Sequence, residues 1–236
     1  MRSNSLPLKK SETISCANMF LVVVLVVLLA EYRICALREV AQGPLPHFSW
    51  DTLPLFLHSQ NNTCAAWNAP ALERITRFPL VTVGMTGMLL PNGTMQSMEI
   101  AGPETCRLIS EASNGTTQTF SVLNSVIDWP WNYKLHAGMV ANPDWRVKHE
   151  NGSDFHVVGN NWAYNLSNPD CRKHWIDTCV ETTRLGCTGC FIDQSNSQEL
   201  FPGNFPAAQE YSRGHLAAII ELSNILAETG HYAINN

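Results

Sequence analysis

Five short apolar runs punctuate residues 45–236, with longer amphipathic stretches between them. The runs are Leu53-Pro54-Leu55-Phe56-Leu57-His58, Phe78 to Gly84, Thr119 to Asn124, Gly189 to Asp193 and His231 to Asn235. Each is brief, bounded by polar residues and apolar in succession, the pattern of a strand buried on both faces. Pro54 restricts the first run to the start of a strand.

The stretches between have helical period and readable ends. Pro103 and Glu104 are expected to open a helix carrying Cys106, Leu108, Ile109 and Ala112. Asn168 reads as an N-cap and Pro169 as a first-turn residue of the next, whose face is Cys171, Trp175, Ile176, Cys179 and Val180, with Gly186 at its stop. A last helix, about His215 to Glu228, is expected to align Leu216, Ile219, Ile220, Ser223 and Leu226 and to end at Gly230.

Strand–helix alternation predicts an α/β fold with parallel strands and helical crossovers. A β/α unit takes about 30 residues, and a complete (β/α)8 TIM-type barrel about 250. Residues 45–236 are therefore expected to hold an incomplete barrel of about five β/α units. An open doubly wound sheet is the alternative. No Gly-rich phosphate loop follows any strand, which leaves a nucleotide-binding version of that sheet without support.

Residues 1–36 stand apart as a signal peptide or signal anchor. Arg2, Lys9 and Lys10 precede an unbroken apolar run of twelve residues, Met19 to Ala30. That length suits a signal-peptide core better than a bilayer span of about 20 residues. Cleavage is expected after Ala30 or Ala36; an uncleaved membrane anchor over residues about 14–32 is the other outcome. Both put the remainder in the secretory pathway, secreted or anchored. N-glycosylation triplets at Asn61, Asn92, Asn114, Asn151 and Asn165 agree with that compartment. So do six cysteines after the leader, Cys64, Cys106, Cys171, Cys179, Cys187 and Cys190, an even set that suggests disulfides but admits fifteen connectivities. One pair is excluded: Cys171 and Cys179 on one helix stand about 12 Å apart, too far to bridge.

Composition removes several function classes. At 45% hydrophobic and 15% charged, with a net charge of −5, the 236-residue chain is globular and offers nucleic acid no basic surface. The histidines show no H-E-x-x-H or clustered ligand spacing, so no metal and no cofactor is expected. A serine-hydrolase elbow is absent. Cys187-Thr188-Gly189-Cys190 has redox spacing, but it runs into a strand rather than a helix N-terminus, which favours a structural role.

The informative stretch is 129–196. It contains Trp129-Pro130-Trp131-Asn132-Tyr133, Asn142-Pro143-Asp144-Trp145, Trp162 to Arg172, and Gly186-Cys187-Thr188-Gly189-Cys190-Phe191-Ile192-Asp193. This resembles the glycoside-hydrolase-like barrels broadly related to α-galactosidases, in which a Tyr-Asp … Asn-Pro segment leads a helix toward a Gly-x-x-Gly-x-Phe-x-Asp strand. The resemblance implies a carbohydrate substrate and hydrolysis through carboxylates at strand ends. The chain departs from it at Asn165, where the family usually carries Asp, so ligand binding there is in question.

Asp193 stands at the carboxyl end of its strand, where parallel barrels place catalysis. It is the first candidate catalytic residue, as nucleophile or as acid/base. Glycosidases use two carboxyls, about 5–5.5 Å apart for retention and about 6.5–9.5 Å for inversion. Asp128, soon after the third strand, is the candidate partner, and Glu199 a second; solvated loop carboxylates are the simpler reading of both. Trp129, Trp131, Tyr133, Trp145, Asn124, His58 and Asn165 are candidate substrate-binding residues, the aromatics by stacking on sugar rings, with plain loop packing as the alternative. Trp162 reads as packing. Two functions follow: a glycosidase acting through Asp193, and a non-catalytic secreted or anchored glycan-binding protein with a degenerate barrel.

Overall fold

The computed structural model describes residues 55–61, 67–84, 96–130, 134–195 and 208–236. Five strands, β1 (Phe56–Gln60), β2 (Leu80–Gly84), β3 (Gln118–Asn124), β4 (Gly189–Asp193) and β5 (Tyr232–Asn235), form one parallel sheet in the order β1-β2-β3-β4-β5. Between them run α1 (Ala69–Ile75), α2 (Met98–Ala112), α3 (Lys134–Ala141), α4 (Pro169–Arg184) and α5 (Ala208–Glu228), with a 3-10 turn at Pro143–Trp145.

Alternation along the strands divides the sheet into two faces. Val81 and Val83 pack with Ile75, Met98, Cys106 and Ile109, and Leu123, Cys190 and Ile192 pack with Trp175, Ile176, Cys179, Leu222 and Leu226. That face lies under the helices. The opposite parity carries Phe56, His58, Thr82, Val122, Asn124, Phe191 and Asp193. Phe56 and Phe191 stack there with ring centroids 5.9 Å apart, although two strands separate β1 from β4. Three inter-strand steps of about 4.8 Å would hold the rings roughly 14 Å apart on a flat sheet. The contact requires the sheet to curl inward. One-sided helices, sequential order and this curvature make the sheet a barrel wall, not the doubly wound alternative.

Two helices differ from the sequence reading. Helix α2 starts at Met98, so Pro103 lies inside it. The ring removes only the bond to the Glu99 carbonyl, and burial of Met98, Ala101, Cys106 and Ile109 outweighs an interior-proline penalty of about 3 kcal/mol. Helix α5 starts at Ala208, and its buried stripe is Tyr211, His215, Ala218, Ile219, Leu222 and Leu226. Leu216 and Ile220 are 57% and 52% exposed. Ile219 and Leu226 of the expected face are buried, but hydropathy set its edge wrongly at Leu216 and Ile220, because a histidine and an alanine fill the side that meets the sheet. Strand β1 lies later than expected, ending at Gln60 rather than His58; Leu53 and Pro54 fall outside the described residues.

Helix α4 agrees closely. The Asn168 side chain accepts from Asp170 and Cys171 N–H, Pro169 opens the first turn, and Gly186 leaves it at φ 130°. Cys171 and Cys179 share the helix unbridged. Instead Cys106 pairs with Cys187 across 81 residues, and Cys179 with Cys190 across 11, each fastening the β4 end of the sheet to a helix. The two cysteines of the C-x-x-C motif therefore go to different partners, the structural role expected. Burial pushes the Cys171 thiol up to about 12. Cys64 and residues 1–36 lie outside the described residues, among which no helix is long and apolar enough to cross a membrane.

Candidate active site

The carboxyl ends of β3, β4 and β5 converge on Asp193. Asn124 is its register partner on β3. Asn124 Nδ2 donates to Asp193 Oδ2 at 3.2 Å and to Gln194 Oε1 at 3.0 Å. Its Oδ1 accepts from Val126 and Ile127 N–H at 2.9 and 2.6 Å. All four hydrogen-bonding positions of that amide are used, and the two backbone donors dictate which end faces the carboxylate. Trp175 Nε1 donates to the Asn124 carbonyl at 3.0 Å from the helical layer. On the other side, Asn236 Nδ2 donates to Asp193 Oδ1 at 3.1 Å. Each carboxylate oxygen thus receives an amide N–H, and the half-buried carboxyl keeps lone pairs for a ligand.

The next residue holds an uncommon conformation. Gln194 has φ 58°, in the left-handed region that side-chain-bearing residues avoid. Ser125 N–H donates to Asp193 O at 3.1 Å, and its Oγ lies 2.9 Å from the carbonyl oxygens of both Asp193 and Gln194.

His58 lies on the same concave face. Its ring is 6.2 Å from that of Phe191, its Nδ1 is 2.6 Å from Thr82 Oγ1, and Gln60 Nε2 is 3.1 Å from its Nε2. The structure therefore brings Asp193, Asn124 and His58 to one face.

Asp128 belongs to a different cluster. The β3–α4 connection folds back on itself through antiparallel bridges Ile127↔Ala163, Arg146↔Tyr164, Lys148↔Asp154 and His156↔Trp162. Within it the Asp128 side chain is fully buried, with Oδ2 2.7 Å from His136 Nδ1 and Oδ1 accepting from Tyr164 Oη at 3.3 Å. Burial raises its pKa, and the His136 and Tyr164 hydrogen bonds oppose that rise. His136 stacks on Trp162 at 5.5 Å, and the Arg146 guanidinium lies 3.5 Å from the centre of the Trp162 ring. Arg146 and Lys148 both pair with Asp154, whose carboxyl they hold below its ordinary range.

Trp129 packs on Val126, Ile127, Val147 and Ala163 of this loop and on Tyr211 of α5. Trp145 packs at a tilt against His174 of α4, ring centroids 5.1 Å apart, in the helical layer. Asn165 N–H donates to Trp145 O at 2.8 Å, which places it at the entry to α4. Neither Trp145 nor Asn165 joins the Asp193 cluster. Trp131, Tyr133 and Glu199 lie outside the described residues. Sequence reasoning passed over Ser125, Gln194, Asn236 and His215. The first three adjoin strand ends, and the rule that selected Asp193 reaches them too; nothing in the sequence marks His215. Among the described residues no group of three or more His, Cys, Asp or Glu side chains could hold a metal ion.

Residues 118–236 match the sequence family described as hypothetical glycosyl hydrolase family 15. No protein of curated function matches the chain by sequence. Among solved structures, a GH31 family sulfoquinovosidase from E. rectale is similar at 14% identity and TM-score 0.53, over 86% of this chain and 33% of that one. An α-galactosidase from Thermus thermophilus is similar at 12% identity and TM-score 0.50, over 85% and 41%. The glycoside hydrolase domain of PelA from Pseudomonas aeruginosa gives 16% identity and TM-score 0.48, over 77% and 58%. At such identities the likeness is one of fold, and the chain spans less than two thirds of each of these structures.

Proposed function

The chain belongs to the hypothetical glycosyl hydrolase family 15, and from that premise we propose that it hydrolyses a carbohydrate glycosidic bond with Asp193 as the catalytic carboxylate. The observation that carries this reading is the position of Asp193 at the carboxyl end of a barrel strand, with an amide N–H on each oxygen. Oxygens that both accept N–H bonds are arranged to attack or to take a proton, not to give one. Asp193 therefore acts as nucleophile or general base, and Asn124 and Asn236 aim it.

The reaction needs a second carboxyl. Asp128 is shut from solvent with both oxygens occupied, which suits it to holding the β3–α4 loop in shape. Glu199, in the connection that follows Asp193, is the partner we assign. We assign His58 and Gln60, on the concave face, to substrate hydroxyls, and Trp129, Trp131 and Tyr133, which follow β3 in the sequence, to stacking on sugar rings. A secretory location fits both disulfides, which persist in oxidising compartments.

The test is turnover of a panel of aryl glycosides by the full chain and by Asp193→Asn. A fall of about 10²–10⁴-fold in kcat is expected for the variant. Undiminished turnover by a folded Asp193→Asn protein overturns the assignment. Glycan binding with no turnover by the wild type, on a panel covering both anomers, supports a non-catalytic lectin-like role instead.

A further inference from the structure

The side chain of Ser125 joins three elements. It follows β3 directly, faces the carbonyls at the end of β4, and meets His215 of α5, whose Nε2 is 2.8 Å from Ser125 Oγ. Carbonyl oxygens only accept, so the single hydroxyl hydrogen must serve the oxygens of Asp193 and Gln194. Oγ then offers His215 only lone pairs, and the imidazole must donate to it. The hydrogen-bond pattern thus specifies the Nε2–H tautomer. Burial in α5 agrees, since it pushes His215 down to about 4 and leaves the ring neutral.

The clamp acts where the backbone is least willing to stay. Gln194 at φ 58° would relax to negative φ if released. That rotation would turn the 193–194 peptide, withdraw Gln194 Oε1 from Asn124 Nδ2 and swing the Asp193 carboxylate off its amide donors. The adjoining bonds Ser195 N–H to Asn236 O and Asn236 N–H to Ile192 O, each 3.0 Å, tie the same turn to β5.

We propose that Ser125 and His215 are positioning residues for Asp193: His215 in its Nε2–H form orients the Ser125 hydroxyl, which holds the Asp193–Gln194 turn and so fixes the direction of the carboxylate. The catalytic half of this statement rests on the reading of Asp193 given above; the tautomer and the clamp do not.

The experiment uses the full chain with Ser125→Ala, Ser125→Thr, His215→Phe and His215→Gln. Nitrogen-15 shifts of the His215 ring are expected to show a neutral Nε2–H imidazole. Amide exchange of Ser195 is expected to rise at least tenfold in Ser125→Ala and His215→Phe. Ser125→Thr and His215→Gln, which keep a hydroxyl and an N–H donor, should restore slow exchange. On any glycoside the wild type cleaves, kcat should fall by about 10–100-fold with KM within twofold for the first pair, and recover for the second. An Nδ1–H tautomer, or unchanged Ser195 exchange in Ser125→Ala, overturns the clamp. Faster exchange in Ser125→Ala, together with full turnover by Asp193→Asn, retains the clamp and removes only the catalytic reading. Should Ser125→Ala fail to fold, the wild-type tautomer and the Ser125→Thr exchange rate decide.

Discussion

Asn124→Asp replaces one atom of the Asp193 cluster and converts its amide donor into an oxygen. The new carboxyl keeps its bonds from Val126 and Ile127 N–H, so its orientation is dictated, and the exchanged atom faces Asp193 Oδ2 at 3.2 Å and Gln194 Oε1 at 3.0 Å. Two carboxylates at that separation repel by about 5 kcal/mol at an effective dielectric near 20, and the lost charge-assisted hydrogen bond adds about 1.5–3 kcal/mol. Binding a proton is the cheaper outcome. At pH 7 it costs about 4 kcal/mol for a carboxyl whose unfolded pKa is about 3.9, and it restores an O–H donor to the same place. The native state of the variant therefore holds one more proton than its unfolded state between about pH 4 and 7. Stability relative to wild type should fall as pH rises, by up to about 1.4 kcal/mol per pH unit. The deficit should be about 4 kcal/mol at pH 7 and close to nothing near pH 4. Urea denaturation of both proteins at pH 5, 6 and 7 measures the difference directly. A deficit independent of pH would show that Asn124 does not donate to Asp193 and would refute the geometry on which the site rests.

Two further outcomes follow from the fold. His215 is neutral when folded with its pKa near 4, and takes a proton near 6.5 when unfolded; stability should therefore drop as pH falls from 6.5 toward 4, by up to about 3 kcal/mol, and the midpoint of thermal unfolding of His215→Gln should lack that part of the decline. Removing the Cys106–Cys187 bond frees an 81-residue loop and removing Cys179–Cys190 an 11-residue one; chain entropy gives losses of about 4.5 and about 3 kcal/mol, so denaturant midpoints of the paired Cys→Ser variants should fall in that order, and the reverse order would contradict the pairing.

The strands and the helix at 169–184 were legible because their signals are local. Apolar runs bounded by polar residues, an Asn-Pro helix entry and a glycine stop act within a few residues of themselves, and the chain obeys them wherever burial agrees. The register of α5 and the start of α2 were not legible, since each was decided by the surface it meets. His215 turns inward to reach Ser125, ninety residues away in sequence, while Leu216 and Ile220 stay outside. Pro103 is carried inside a helix because the residues before it have a sheet to cover.

The candidate site divides in the same way. By itself the sequence determined that Asp193 ends a parallel strand, because strand ends and the polar turn after them are written in neighbouring residues. Only the tertiary structure decided what surrounds that carboxylate. Asn124, Asn236, Ser125 and His215 come from β3, from beyond β5 and from α5. Parallel strands bring residues about 40–70 positions apart into register only once the intervening helices have packed, and no local pattern records which amide will then face which oxygen. The same assembly buried Asp128 in the folded β3–α4 loop, where hydrogen bonds with His136 and Tyr164 offset its burial.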